Sequence, residues 1–275
     1  MRLPDFTILR PDSVEQALDC LTEHGEEAAV YMGGTELLMV MKLGLGAYSQ
    51  LVDCKRIDEL QELAVSDGVL RIGAAVTHRR VELSPDVQRL LPSLAELETG
   101  IANVRVRNVG TLCGNLCFAE PHSDPATLLI ALGASVEVAS RAGLRTLPLE
   151  DFVRGPLETA LEPAELVTRV LVPIPGPEAR IAAHRLAFRE RPAVNLAVVQ
   201  EDGWLRVCVG AVGPRPVRAR EAEQVLARNG RAALEEACEL AAVAAQPRAD
   251  INGSAALKTH LVKVLMRRAG AAVLQ

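Results

Sequence analysis

Tyr31-Met32-Gly33-Gly34-Thr35-Glu36-Leu37-Leu38 and, further along, Asn108-Val109-Gly110-Thr111-Leu112-Cys113-Gly114-Asn115-Leu116-Cys117 are the stretches on which the reading of this chain turns. The first sets two glycines and a threonine between an apolar run, Ala28 to Tyr31, that reads as a strand and a segment, Glu36 to Lys42, that reads as a helix capped by Thr35. Glycine lacks the side chain that would keep an anion away from backbone N–H groups. A helix start adds partial positive charge. The same residues also make an ordinary strand-to-helix turn. The second stretch reads as a backbone-rich turn with Thr and Asn side chains, or else as a polar surface loop. Leu112, Leu116 and the apolar segment from Pro125 to Leu132 argue that it is partly buried. Buried loop backbone needs partners, and a ligand can supply them.

Around these stretches the chain alternates helix and strand signals. Ser13-Val14-Glu15-Gln16 is a capping box opening a helix that Gly25 can close. Gln50 to Asp53 is expected as a strand, ending a first unit near residue 55. Asp67-Gly68 signals a turn before a strand at Val69 to Ile72. Thr77 can cap a short helix through Glu82, and helices are expected at Pro92 to Thr99 and Pro125 to Leu132, the latter ended by Gly133. Ser135 to Ala139, Leu144 to Leu147 and Val167 to Val172 read as strands. Pro173-Ile174-Pro175-Gly176-Pro177 can continue neither ladder nor helix and is expected to separate two domains, 1–174 and 178–275. Beyond it, strands (Ala183 to Phe188, Ala193 to Gln200, Leu205 to Val212) precede helices (Arg218 to Ala227, Ala232 to Ala244, Ser254 to Val273). That order predicts an α+β domain, an antiparallel sheet with helices on one face.

Composition excludes several classes of function. Aromatic residues are 3% of the 275 and the net charge is −5, so there are neither stacking platforms nor a basic face for nucleic acid. No apolar run approaches the roughly 20 residues of a membrane span. Asp5 and Pro11 precede any apolar stretch, which speaks against a signal peptide. The six cysteines form no CxxC pair and the five histidines are scattered, so no metal site is expected. Reduced thiols in a cytoplasmic protein follow from that usage. Gly44-Leu45-Gly46-Ala47-Tyr48-Ser49 lacks the third glycine of a dinucleotide fingerprint and precedes a strand. Gly133-Ala134-Ser135-Val136-Glu137 lacks the closing glycine of a nucleophile elbow.

The two opening stretches resemble the paired flavin loops of the FAD-binding medium subunit of the molybdenum hydroxylases, the family of carbon monoxide dehydrogenase and xanthine dehydrogenase. The likeness runs on through Pro121-His122-Ser123-Asp124-Pro125, Glu165-Leu166-Val167-Thr168, Gly253-Ser254-Ala255 and Arg267-Arg268, and so spans the chain. It implies a two-part FAD-binding domain of the vanillyl-alcohol-oxidase type (subdomains about 1–55 and 56–174) followed by the C-terminal α+β domain. It further implies that Val30, Tyr31, Met32, Gly33, Gly34, Thr35, Glu36 and Leu37, with Thr111, Leu112, Cys113, Gly114 and Asn115, surround the diphosphate and ribityl chain. Asp124 would accept from ribityl hydroxyls, or cap the helix that Pro125 begins. Ile101, Ala102 and Val167 would lie near the flavin ring, or simply pack in the core. Cys113 departs from the family, which has Gly-Gly before the Asn.

By the same resemblance the chain is an electron-transfer subunit. A large molybdenum–pterin subunit would oxidise the substrate, a small subunit with [2Fe-2S] clusters would relay electrons to this FAD, and the assembly would be a dimer of heterotrimers. No catalytic side chain is implied, because the redox chemistry belongs to the cofactor. The rival readings are a self-contained flavin oxidoreductase, for which His78 and His122 are the candidate bases, and a binding module that has lost FAD.

Overall fold

The computed structural model describes residues 2–188, 191–201 and 203–274, so Met1 and Gln275, the ends of the two expected domains, lie outside the described residues. The chain opens with β1 (Thr7–Leu9), α1 (Val14–His24), β2 (Ala28–Tyr31), α2 (Leu37–Lys42) and β3 (Gln50–Asp53). These strands form a parallel sheet in the order β1-β3-β2. Ser13 caps α1 by accepting from the Gln16 N–H, while Gln16 reaches back to the N–H of Asp12 rather than to that of Ser13. Gly25 ends the helix at φ 51°, a conformation costly for any side chain.

The second unit contains β4 (Leu63–Ser66), β5 (Val69–Gly73), α3 (His78–Leu83), α4 (Pro85–Leu90), α5 (Pro92–Thr99), α6 (Val104–Val109), α7 (Leu112–Phe118) and α8 (Pro125–Leu132). It continues through β6 (Ser135–Ser140), β7 (Gly143–Pro148), α9 (Leu149–Phe152), the short pair β8 (Val153–Gly155) and β9 (Glu158–Thr159), and β10 (Leu166–Pro173). Its antiparallel sheet runs β4-β5-β10-β6-β7. Asp67 and Gly68, at φ 53° and 72°, make the left-handed turn that joins β4 to β5 with a twist matching the strands. Every residue of α8 is buried, with Pro at its first turn and Gly133 in the left-handed conformation at its end.

The last unit is a four-stranded antiparallel sheet, β11 (Arg180–Leu186), β12 (Val194–Glu201), β13 (Trp204–Gly210) and β14 (Val217–Arg218), with α10 (Arg220–Asn229), α11 (Leu234–Ala245) and α12 (Ala255–Val273). The chain is thus an α+β protein. The expectation of helices on one face describes only half of the arrangement. Leu196, Val198, Val207 and Val209 pack in the core under α10–α12, whereas Ala197, Val199 and Cys208 join the core that contains α8. A strand covered on both faces is apolar without alternation, and that is why Leu196 to Val199 does not alternate. Among the described residues no helix is long and apolar enough to cross a membrane.

Candidate functional site

A cleft of about 400 Å³ opens where the first two units meet the start of the third. Its floor is made by the two glycine stretches, and they touch backbone to backbone. A Cβ on Gly33 would lie 2.2 Å from the carbonyl oxygen of Val109 and 2.5 Å from Cα of Gly110. Gly34 sits at φ 68°, and a Cβ there would lie 2.2 Å from the Tyr31 ring, itself covered by Lys55 with Nζ 3.6 Å from the ring centre.

Two local expectations are corrected. Thr35 caps no helix: the residue before α2 is Glu36, and no side chain bonds to that helix start. The stretch from Thr111 to Asn115 is not a turn or a polar loop. Thr111 is the N-cap of α7, its hydroxyl accepting from the Gly114 N–H at 3.0 Å, and Leu112 to Asn115 are its first turn. Asn108 and Val109, read as part of that turn, end α6, which Asn103 opens, its side chain accepting from the N–H groups of Arg105 and Val106. Gly and Asn content suggested irregularity, but Asn103 and Thr111 do the work of caps.

Of the seventeen residues singled out from the sequence, all line the cleft except Tyr31 and Leu112. Tyr31 turns its ring beneath Gly34, and Leu112 is fully buried in the core. His78 and His122 are on the wall as well, together with Val40, Tyr48, Cys117, Ser123, Glu165 and Arg191, none of which the sequence singled out as binding residues. Arg191 carries no motif and reaches the cleft only through the packing of the third unit on the others.

Cys113 lies on the buried side of α7 with 2% exposure, its Sγ 3.7 Å from the carbonyl of Ile72. Burial, reinforced by Cys117, pushes its thiol well above the ordinary range. The side chain therefore fills core volume beneath the cleft and leaves the cleft face to backbone. Cys113→Gly is expected to cost about 1–3 kcal/mol of stability through a cavity and a helical glycine, with flavin affinity changed less than threefold. A melt and a flavin titration of the one variant check both halves.

Asp124 does not cap α8; no hydrogen bond runs from its side chain to that helix start. Instead Asn195 of β12 donates to Oδ1 at 3.0 Å, and Nη1 of Arg185 lies 3.4 Å from Oδ2. Burial pushes the Asp124 carboxyl up, while the Asn195 bond and the Arg185 charge pull it down; burial wins. Arg191 bridges Glu36 at 2.9 Å and Glu120 at 2.5 Å, tying the first glycine stretch to the segment before α8. His122 bonds Glu120 through Nδ1 at 2.9 Å and Asp250 through Nε2 at 2.7 Å. The Glu120 bond, opposed by burial and aided by the Asp250 bond, holds His122 above its ordinary range, so its charge balances both carboxylates.

The donor set suits an organic diphosphate. Among the described residues, the N–H groups of Gly33, Gly34, Thr35, Glu36 and Cys113 make no hydrogen bond within the chain. Oε2 of Glu36 is buried without a donor. Unpaired buried N–H groups are rare, and a row of them along a glycine-floored cleft fits phosphoryl oxygens. A hydroxyl or amine of the same ligand could satisfy Glu36. Among the described residues no cluster of His, Cys, Asp and Glu could hold a metal ion.

Fold and cleft together define a two-part α+β binding domain, with a third α+β unit, whose cleft suits an organic diphosphate. Residues 4–175 match the family of the FAD binding domain in molybdopterin dehydrogenase, and residues 183–273 match the CO dehydrogenase flavoprotein C-terminal domain. The chain belongs to this FAD-binding family of oxidoreductase subunits. It is 30% identical to the carbon monoxide dehydrogenase medium chain of Afipia carboxidovorans over 96% of this chain and 95% of that one. The nicotine 6-hydroxylase medium subunit of Paenarthrobacter nicotinovorans is 32% identical, over 98% and 97%. Among solved structures, a Hydrogenophaga pseudoflava carbon monoxide dehydrogenase lacking the Mo-pyranopterin moiety of its cofactor superposes with a TM-score of 0.94 at 31% identity, covering 99% of this chain and 98% of that one. FAD is accordingly the cofactor of the protein.

Proposed function

We propose that this chain carries electrons, taking them from an iron–sulfur partner onto FAD and delivering them to an external acceptor, within a complex whose molybdenum–pterin subunit oxidises the substrate. The observation that carries the reading is the single cleft in which both glycine stretches turn unpaired N–H groups outward. Bound FAD supplies the chemistry, because it accepts two electrons and releases them to a different partner. The chain's own residues bind and orient it. The N–H groups of Gly33 to Glu36 and of Cys113 hold the diphosphate, with Thr111, Gly114 and Asn115 beside them. Asp124, held by Asn195, accepts from the ribityl hydroxyls. Val30, Met32, Leu37, Ile101, Ala102 and Val167 keep water from the flavin.

In this reading the FAD-binding domain is 1–174, the third unit, 178–275, braces it, and the protein works in the cytoplasm within a dimer of heterotrimers. The relatives supporting the partner set are medium subunits of multi-subunit enzymes. Support for the reading also comes from His122, whose two ring nitrogens are both held by carboxylates, Glu120 and Asp250, which leaves it no free nitrogen to act as a base.

The native complex, purified by a tag on this chain, should be yellow and release FAD on acid treatment. It should also contain stoichiometric molybdenum and iron. A colourless complex would defeat the reading. Oxidation of an organic substrate by the isolated chain would favour a self-contained enzyme instead.

A further inference from the structure

His78 begins α3 at the point where that helix is sewn to the second glycine stretch. Its N–H donates to the Gly110 carbonyl at 2.9 Å, and Thr77 pairs with Thr111 in a β-bridge. The imidazole is 3% exposed, and Nδ1 lies 2.7 Å from Oε2 of Glu98, which is wholly buried. The other carboxylate oxygen, Oε1, has no partner among the described residues. Nor does Nε2, although the ring forms part of the cleft wall. The ring edge that bears Nε2 is located by Gly110. A Cβ there would lie 3.4 Å from His78 Cδ2 and 3.4 Å from Thr35 Oγ1, so imidazole edge and hydroxyl converge over the contact between the two glycine stretches.

We propose that His78, as an imidazolium, is a binding residue for the FAD diphosphate, donating Nε2–H to a phosphoryl oxygen, and that Glu98 is the positioning residue that holds the ring through Nδ1 and balances its charge. The proposal rests on the reading that this cleft holds FAD. A phosphoryl oxygen only accepts, so Nε2 must carry a proton while Nδ1 is engaged. Glu98, as a carboxylate, accepts from Nδ1–H; in a neutral ring that bond leaves Nε2 without hydrogen, so the donor to the phosphoryl oxygen is the imidazolium, whose charge Glu98 balances on one side and the diphosphate on the other. The five free backbone N–H groups, of Gly33 to Glu36 and of Cys113, are dipoles only, and His78 adds a charged side-chain donor on the wall of the same cleft.

The test is FAD titration of the deflavinated full chain, with ³¹P NMR of the bound cofactor. His78→Leu paired with Glu98→Gln, which avoids stranding a buried carboxylate, should raise the Kd for FAD roughly ten- to a hundredfold. One diphosphate resonance should move, while the visible spectrum and the potential of the bound flavin stay at their wild-type values. His78→Gln, which keeps an N–H donor, should recover part of the affinity. A folded double variant with wild-type affinity and unmoved phosphorus resonances would overturn the proposal. Should the variants not fold, a crystal structure of the FAD-loaded wild type decides. A phosphoryl oxygen about 3 Å from Nε2 supports the assignment, and an Nε2 facing anything else refutes it. A wild-type chain that takes up no FAD removes the underlying reading as well, a result distinct from a loaded wild type with indifferent variants.

Discussion

Gly33→Val should yield little or no folded, flavin-bearing protein. The first atom of any side chain at Gly33 would meet the Val109 carbonyl oxygen at 2.2 Å, Cα of Gly110 at 2.5 Å and its nitrogen at 2.8 Å. All three are backbone atoms, so no rotamer change relieves the clash. Overpacking against movable side chains costs about 1–3 kcal/mol, and an obstacle made of main chain exceeds that range. A domain has about 5–15 kcal/mol in hand, so the variant loses much of its stability before any question of ligand arises. Gly44→Ala is the control, because a Cβ there meets nothing within 4 Å and the cost is only that of φ 71°. Thermal melts and the flavin absorbance of both purified variants test this. A Gly33→Val protein that melts like wild type and stays yellow would mean that the two segments are not packed main chain on main chain.

Asn195→Asp is expected to make flavin retention and stability fall steeply as pH rises, where the wild type changes little. Asn195 donates to Asp124 Oδ1 at 3.0 Å and to the Ser123 carbonyl at 3.2 Å, and it accepts from Thr127 at 2.8 Å. Gly210 leaves no room for retreat, because a Cβ there would lie 2.1 Å from the Thr127 hydroxyl and 2.3 Å from Asn195 Oδ1. The substitution sets a second carboxyl against one that burial already pushes up. Two buried carboxylates at that distance cannot both ionise, so the pair retains a proton. The sign follows: the folded state then holds more protons than the unfolded one, so stability present at low pH is lost as pH rises through the raised value. Asn195→Ala, which merely strands Asp124, should lower stability by about 3–5 kcal/mol with a much weaker pH trend. Melting temperatures from pH 5 to 9 separate the two, and a flat profile for Asn195→Asp would show that the carboxyls do not share a proton.

Much of this architecture was legible before any coordinates. Capping at Ser13 and Thr77, the Asp67-Gly68 turn, Gly133 as a helix end and the strands at β2, β3, β5, β6 and β10 were read from local signals, because their physics is local. The strands β1 and β4 carry no strong alternation or turn signature and escaped notice, being held by long-range pairing with β3 and β5. The end of α6 and the start of α7 were misread as loop because Gly and Asn suggest irregularity unless their side chains are seen to cap.

The opening glycines show where the division falls. By itself the sequence determined that Gly33 and Gly34 lie between a strand and a helix, and family resemblance tied them and the second stretch to FAD. It also determined a core of aliphatic side chains and the break at Pro173 to Pro177. Only the tertiary structure decided that Gly33 packs main chain on main chain against Gly110, and that Cys113 faces the core. Tertiary packing likewise brought Arg191 from the third unit to the cleft and Asn195 and Arg185 against Asp124, and set His78 against Glu98 at the cleft wall. The physical reason is range. Caps and turns are settled within a few residues by backbone geometry and hydrogen bonds, whereas a cleft between units is settled by which distant surfaces bury each other. No spacing in the chain encodes that.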